Sequence, residues 1–273
     1  MGPVLKFGPA GLGPVKKAIE TLKKYSEFGF KACEVEFTYG VYIKCKEDAE
    51  KIGKAAKKYG ISLSIHAPYW INLNSKEESK IEQSKRRIIE CLKVGTWLGA
   101  TVVVFHPGYY GKFSKEETYK KIKKQILELQ KIRKREKYSP LLAPETTGKT
   151  NVFGSIEEIA RLVKETRCYF CIDFAHILAR EKNYKFKEVF SKFKQKKLHI
   201  HFSGIVYGEK GEKHHRKTSK IEMETLIKSI PSNRIATIIN ESPTPIEDSL
   251  LGIKVAKAIA DKKNKKKKKI LTI

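Results

Sequence analysis

Residues 101–108 read TVVVFHPG, an unbroken β-branched and aromatic run that ends on His106, with Pro107 and Gly108 directly behind it. A run this short and this apolar, without polar alternation, marks a parallel strand covered on both faces. Its one chemically useful side chain sits at its downstream end. The same construction recurs along the chain. His66 closes ISLSIH (61–66), Glu145 closes LLAPE (141–145), Asp173 and His176 end CIDFAH (171–176), His201 closes KLHIH (197–201) and Glu241 follows RIATIIN (234–240).

Working outward from these runs, the candidate strands are 3–7, 32–37, 61–66, 101–106, 141–145, 168–173, 197–202 and 234–240. They alternate with candidate helices 14–28, 46–59, 75–98, 115–136, 155–165, 185–194, 217–229 and 245–261. Ser114-x-x-Glu117 and Ser155-x-x-Glu158 are capping boxes that open two of these helices. Within 115–136, Ile122, Ile126 and Leu129 recur at helical spacing, and Gly60 and Gly99 mark helix ends just before strands. Eight strand–helix pairs in one chain predict an α/β fold closed into a (β/α)8 TIM barrel. An open doubly wound sheet is the competing layout. It fits less well, because no G-x-G-x-x-G follows the first strand and polar residues end nearly every strand instead of lining one crevice. The expected organisation is one barrel domain over 1–261 and a lysine-rich, frayed C-terminal tail over 262–273.

The chain has 273 residues, 40% of them hydrophobic, which suffices for one sizeable core. Its formal charge is +27, from 57 Lys and Arg against 30 Asp and Glu. Such an excess favours an anionic partner, and nucleic acid is the first to consider. The sequence contains neither a long apolar run nor a signal-peptide pattern, so the expectation is a cytoplasmic, membrane-free protein acting as a monomer. Cys168 and Cys171 form a C-x-x-C, but three residues apart on a strand means opposite faces. They read as small buried apolar side chains rather than as a chelating pair.

In a barrel of this kind chemistry gathers where the C-terminal ends of the strands meet. Six consecutive strands, the third to the eighth, deliver His66, His106, Glu145, Asp173 with His176, His201 and Glu241 to that mouth, and His214 and His215 lie just beyond the seventh. So many imidazoles and carboxylates exceed one tetrahedral zinc. A nitrogen and oxygen donor set without thiolates suits Zn²⁺ or Mn²⁺, and a bridging carboxylate suits two or more ions. His199, two residues before His201, faces the same side one layer deeper, and His214 points away from its neighbour His215.

The segments SIHAPYWINL, VVVFHPGYYG, LLAPETTGKTNVFGS, CIDFAH, HIHFSG and INESP, in that order, resemble the successive motifs of the endonuclease IV family of apurinic/apyrimidinic-site nucleases. The match runs from about residue 60 to residue 243, and the first sixty residues resemble the family only weakly. The resemblance implies a TIM barrel holding three zinc ions. His66 and His106 would bind the first ion, with Glu145 bridging to a second held by Asp173, His201 and Glu241. His176 and His215 would bind the third. Tyr69 matches a residue of the family's DNA-penetrating loop, and Trp70, Tyr109 and Tyr110 are placed to assist it. One position departs from the pattern: where the family's D-x-H motif has aspartate, this chain has Lys213. A protonated lysine cannot ligate. Glu212, Glu209 or His214 would have to stand in, or the third ion is absent and Lys213 itself meets the leaving group.

The activity implied is hydrolysis of the phosphodiester 5′ to an abasic site in duplex DNA, leaving a 3′-hydroxyl, with Glu145 at the catalytic centre. Two other readings remain. The same barrel and a similar donor set serve metal-dependent sugar isomerases and epimerases, and the Lys213 departure fits a nucleic-acid-binding protein with a degenerate site.

Overall fold

The computed structural model describes residues 2–271, with side chains through Lys263. The first half runs β1 (Val4–Pro9), α1 (Ala18–Glu27), β2 (Ala32–Glu36), α2 (Lys46–Lys58), β3 (Ser62–His66), α3 (Glu78–Leu98), β4 (Val102–Phe105), α4 (Lys115–Arg135) and β5 (Leu141–Pro144). The second runs α5 (Ile156–Thr166), β6 (Ile172–Asp173), α6 (Phe174–Glu181), α7 (Phe186–Lys192), β7 (Lys197–His201), β8 (Gly204–Gly208), β9 (Gly211–Arg216), α8 (Lys220–Ser229), β10 (Ile235–Asn240) and α9 (Pro245–Leu271).

The strands form two four-stranded parallel sheets, β2-β3-β4-β5 and β1-β10-β7-β6. Single parallel bridges, Ala10 to Glu34 and Glu145 to Cys171, join them along two seams and close the (β/α)8 ring. At the first seam Lys31 N–H donates to Phe7 O at 3.0 Å and Gly11 N–H to Glu34 O at 2.9 Å. Gly8 lies at this seam, where an added Cβ would run into the Ala32 carbonyl, so the close approach requires glycine.

Strand alternation separates two interiors. Val35, Ile65, Val103, Phe105, Ile172, Ile200 and Ile238 join the main core together with helix residues such as Leu92, Ile122, Ile126 and Leu162. Each such buried side chain contributes roughly 1.5–3 kcal/mol. Val102, Val104, Ala143 and Cys171 form a smaller cluster on the other strand faces. The remaining inward positions are polar: Glu34, Ser64, His66, His199 and His201 are all buried.

Both expected capping boxes are present, at Ser114 with Glu117 and Ser155 with Glu158, and Gly99 ends α3 at φ 66°. Three local features differ from expectation. The sixth strand shrinks to β6 at its upstream end, where Cys171 makes only a single bridge to Glu145, and α6 follows directly, capped by Asp173, which accepts from His176 N–H at 2.7 Å. After β7 the chain forms an antiparallel hairpin, β8 with β9, rather than a loop. The last helix continues past residue 261 to Leu271, since no glycine or proline interrupts 253–271. The expected tail thus belongs to α9 as far as Leu271, and residues 272 and 273 lie outside the described residues. Among the described residues, no helix is long and apolar enough to cross a membrane.

Candidate metal centre

Glu145, immediately after β5 and wholly buried, is the hub of the mouth. Its Oε2 lies 3.0 Å from His106 Nε2 and 3.2 Å from His66 Nε2. Its Oε1 lies 3.1 Å from His201 Nδ1 and 3.5 Å from His176 Nδ1. One oxygen therefore faces the donors at the ends of β3 and β4, and the other faces those of β6 and β7. Three groups of ligand atoms result, each within 4.8 Å: His66, His106 and Glu145; Glu145, Asp173, His201 and Glu241; and His176, Glu212 and His215. The first two share Glu145, and His176 approaches both Asp173 (3.4 Å) and Glu212 (3.5 Å).

The rings are oriented by what their other nitrogens meet. His66 Nδ1 contacts Ala67 O at 2.8 Å, His176 Nδ1 contacts Thr146 O at 3.0 Å, and His215 Nδ1 pairs with Ser203 Oγ at 2.6 Å. A carbonyl only accepts, so His66 and His176 donate from Nδ1, which leaves Nε2 as the ring nitrogen available to a ligand.

Electrostatics bind the group together. Burial disfavours charge on His66, yet Glu145 and the other carboxylates outweigh it and push its pKa up to about 10. Burial likewise opposes a charged Glu145, but His201 and His106 hold it well below the usual carboxylate range. Glu241 is held down to about 2, burial being outweighed by His201. Asp173 is lifted, by burial first, against the pull of His176 and with Glu145 and Glu241 adding to the rise.

The donor set fits metal ions. Asp173 uses Oδ1 to cap α6, while its buried Oδ2 has no hydrogen-bond partner. An orphaned buried carboxylate oxygen among carboxylates and imidazoles is what a cation satisfies. All three groups consist of nitrogen and oxygen donors, which suits Zn²⁺ or Mn²⁺.

The structure brings together His66, His106, Glu145, Asp173, His176, His201, His215 and Glu241, and places Glu212 beside His176 and His215. The β8–β9 register slips between Val206, opposite His214, and Tyr207, opposite Glu212, so Lys213 is an extra, bulged residue. A bulge breaks strand alternation. Glu212 and His215 consequently share the inner side despite lying three apart, while Lys213 and His214 are exposed. Lys213 is not in the cavity wall, contrary to the expectation that it might meet a leaving group.

The cavity over the centre, about 290 Å³, is walled by Tyr69, Ile71, Tyr109, Lys149 and Val152 besides the donors. Tyr69 and Tyr109 are half-exposed there. Trp70 lines an adjoining groove with Lys80 and Arg87 instead. Tyr110 does not fit the substrate-contacting place expected of it: it is buried, and its hydroxyl donates to Glu158 at 2.7 Å. Cys168 and Cys171 are free and buried, and no ligand group contains both, though Cys171 lies close to His199 and His201.

Two carboxylates escaped the sequence reading. Glu34 and Glu36 on β2 point inward, and with Glu241 they form a further group of close oxygens. Burial pushes the Glu36 carboxyl up to about 8, with Glu34 and Glu241 adding to the rise and His66 opposing it. The E-V-E alternation in CEVEF was the available signal.

Fold and donor clusters together define a metal-capable TIM-barrel enzyme. Residues 22–245 match the model of the xylose isomerase-like TIM barrel family, and the chain belongs to that family. A relative, the uncharacterized protein MJ0133 of Methanocaldococcus jannaschii, is 40% identical over 273 residues, covering 92% of this chain and 96% of its own. The probable endonuclease 4 of Aquifex aeolicus is 24% identical over 221 residues, 75% of this chain and 78% of its own. In fold, the chain resembles a D-tagatose 3-epimerase-like protein with a TM-score of 0.68 at 20% identity, over 94% of this chain and 99% of that one. The chain is thus similar in sequence to probable endonuclease 4 of Aquifex aeolicus and shares its fold with a D-tagatose 3-epimerase-like protein.

Proposed function

We propose that this protein hydrolyses phosphodiesters in nucleic acid, incising duplex DNA on the 5′ side of an abasic site and leaving a 3′-hydroxyl. The observation that carries this reading is the run of three donor groups linked through Glu145 and His176. Proton transfer between neighbouring sugar carbons needs fewer ions than three groups can hold. A phosphodiester, with an attacking water, non-bridging oxygens and a leaving oxygen, presents charge along just such a line. Two or three Zn²⁺ ions, or Mn²⁺, would be held by these residues, and when bound would lower the pKa of water and neutralise phosphate charge.

The chain's own residues supply the rest. Glu145 holds its two neighbouring groups in a fixed relation through its separate oxygens. Tyr69 and Tyr109 stand at the mouth, where an abasic gap without base stacking accepts an aromatic wedge. Lys149 on the wall and the +27 formal charge attract the phosphate backbone without reading sequence.

A second reading, a metal-dependent sugar isomerase or epimerase, has its own support. Glu145, Asp173, His201 and Glu241 form a complete one-ion site by themselves, and the likeness in fold to a D-tagatose 3-epimerase-like protein weighs on that side. One experiment separates the two: purified protein with Zn²⁺ or Mn²⁺ is given a duplex with a single tetrahydrofuran residue and, in parallel, free ketohexoses. Incision 5′ to the tetrahydrofuran supports the nuclease. Epimerised or isomerised sugar with intact duplex overturns it.

A further inference from the structure

We propose that Glu34, a carboxylate outside the three donor groups, is the positioning residue that fixes His201 for metal binding through Nδ1, with His199 holding Glu34 in place.

Glu34 lies on β2, wholly buried beneath the mouth. Its Oε1 is 2.8 Å from His201 Nε2, and its Oε2 is 2.9 Å from His199 Nε2. The opposite nitrogen of His201, Nδ1, is 3.1 Å from both Glu145 Oε1 and Glu241 Oε1. The imidazole therefore spans the distance between the donor group and Glu34. The backbone fixes the carboxylate as well, because Glu34 sits on the first seam, bridged to Ala10, and its carbonyl accepts from Gly11 N–H.

Behind their donor nitrogens, His66 leans on Ala67 O and His215 on Ser203 Oγ, while His176 Nδ1 meets Thr146 O and, at 3.4 Å, Asp173, itself a member of the donor set. His201 instead faces Glu34, a carboxylate outside the three groups. A carboxylate receiving the Nε2 proton selects the tautomer whose Nδ1 is bare, and makes that nitrogen a stronger donor. Glu34 Oε1 and His201 Nε2 are close yet off the line of an ideal ring N–H bond. His199, buried as expected of a supporting residue, anchors the other oxygen and stops the carboxylate from turning away.

The inference rests on Glu145, Asp173, His201 and Glu241 holding an ion, but not on which substrate is turned over. The test uses the full chain stripped of metal, as wild type and as Glu34→Gln and Glu34→Ala. Zn²⁺ affinity and stoichiometry are measured by competition titration, ring tautomers by ¹⁵N-histidine NMR, and metal-free stability by thermal melting. Zn²⁺-loaded wild type is expected to show His201 protonated on Nε2 and bare at Nδ1. Both variants are expected to bind one ion about 10–100-fold more weakly, with the remaining sites unaffected. Glu34→Gln is nearly isosteric and keeps the test valid if Glu34→Ala does not fold. Unchanged affinity in Glu34→Gln overturns the proposal. So does an equal weakening of every site in step with lower metal-free stability, which a purely structural role would produce. Failure of the wild type to bind Zn²⁺ would overturn the metal reading itself, whatever the variants do.

Discussion

The Glu212 carboxylate stands 3.5 Å from the His176 imidazole, placed there by a β-bulge that pushes Lys213 outward. Glu212 thus lies with His176 and His215 in one group of close donor atoms, one residue before the position of Lys213. Glu212→Gln is expected to remove one ion equivalent by elemental analysis, leaving the groups around Glu145 loaded. Lys213→Ala, on the exposed side, should keep full metal content and stay within about 0.5 kcal/mol of wild-type stability. Loss of an ion in Lys213→Ala would show that the bulge places the wrong residue inward.

Glu145→Gln should be far more damaging. A single oxygen donor would replace an anion serving two groups, and His66, His106, His176 and His201 would lose their common counter-charge. Partners outside the ligand set typically change affinity or activity about 10–100-fold, so loss of this ligand should exceed about 100-fold in turnover. Single-turnover kinetics at saturating metal, with circular dichroism to verify the fold, provide the measurement. A rate within tenfold of wild type, about 1.4 kcal/mol of barrier, would remove Glu145 from the centre.

Stability of the metal-free protein should fall as pH rises. His66, with a folded pKa of about 10 against 6.5, holds a proton that the unfolded chain releases, so its contribution is full below 6.5 and lost by about 10. Glu36, at about 8 against 4.5, acts with the same sign between those values. Glu241, at about 2 against 4.5, acts oppositely: its contribution is present above 4.5 and lost as pH falls toward 2. Urea midpoints of the metal-free protein should therefore decline from mildly acidic pH toward pH 10. Metal addition should release protons and flatten the decline. A midpoint that rises over this range without metal would contradict the carboxylate–imidazole network.

The barrel was legible because its strands are short β-branched runs whose faces are both covered, and because chemistry sits at their ends: TVVVFH and ISLSIH carry fold and site in the same letters. Glu34 was not legible, since a glutamate in CEVEF reads equally as solvent-facing until the ring closes around it. Glu212 could be named as a stand-in but not chosen, because alternation would put Lys213 on the face of His215 until the hairpin register reveals the extra residue. Tyr110 shows the converse. Its place after β4 suggested contact with substrate, yet Glu158, an acid needed for the α5 capping box, also takes its hydroxyl.

The two seams have a consequence for assembly. His66, His106 and Glu145 belong to the half-ring β2-β3-β4-β5, whereas Asp173, His201 and Glu241 belong to the half-ring β1-β10-β7-β6. Each junction between the halves is held by a few backbone hydrogen bonds, and Glu145 itself lies on the second, bridged to Cys171. A cation gripping Glu145 together with the opposite half is therefore a clasp on the ring, and its binding free energy is also closure free energy.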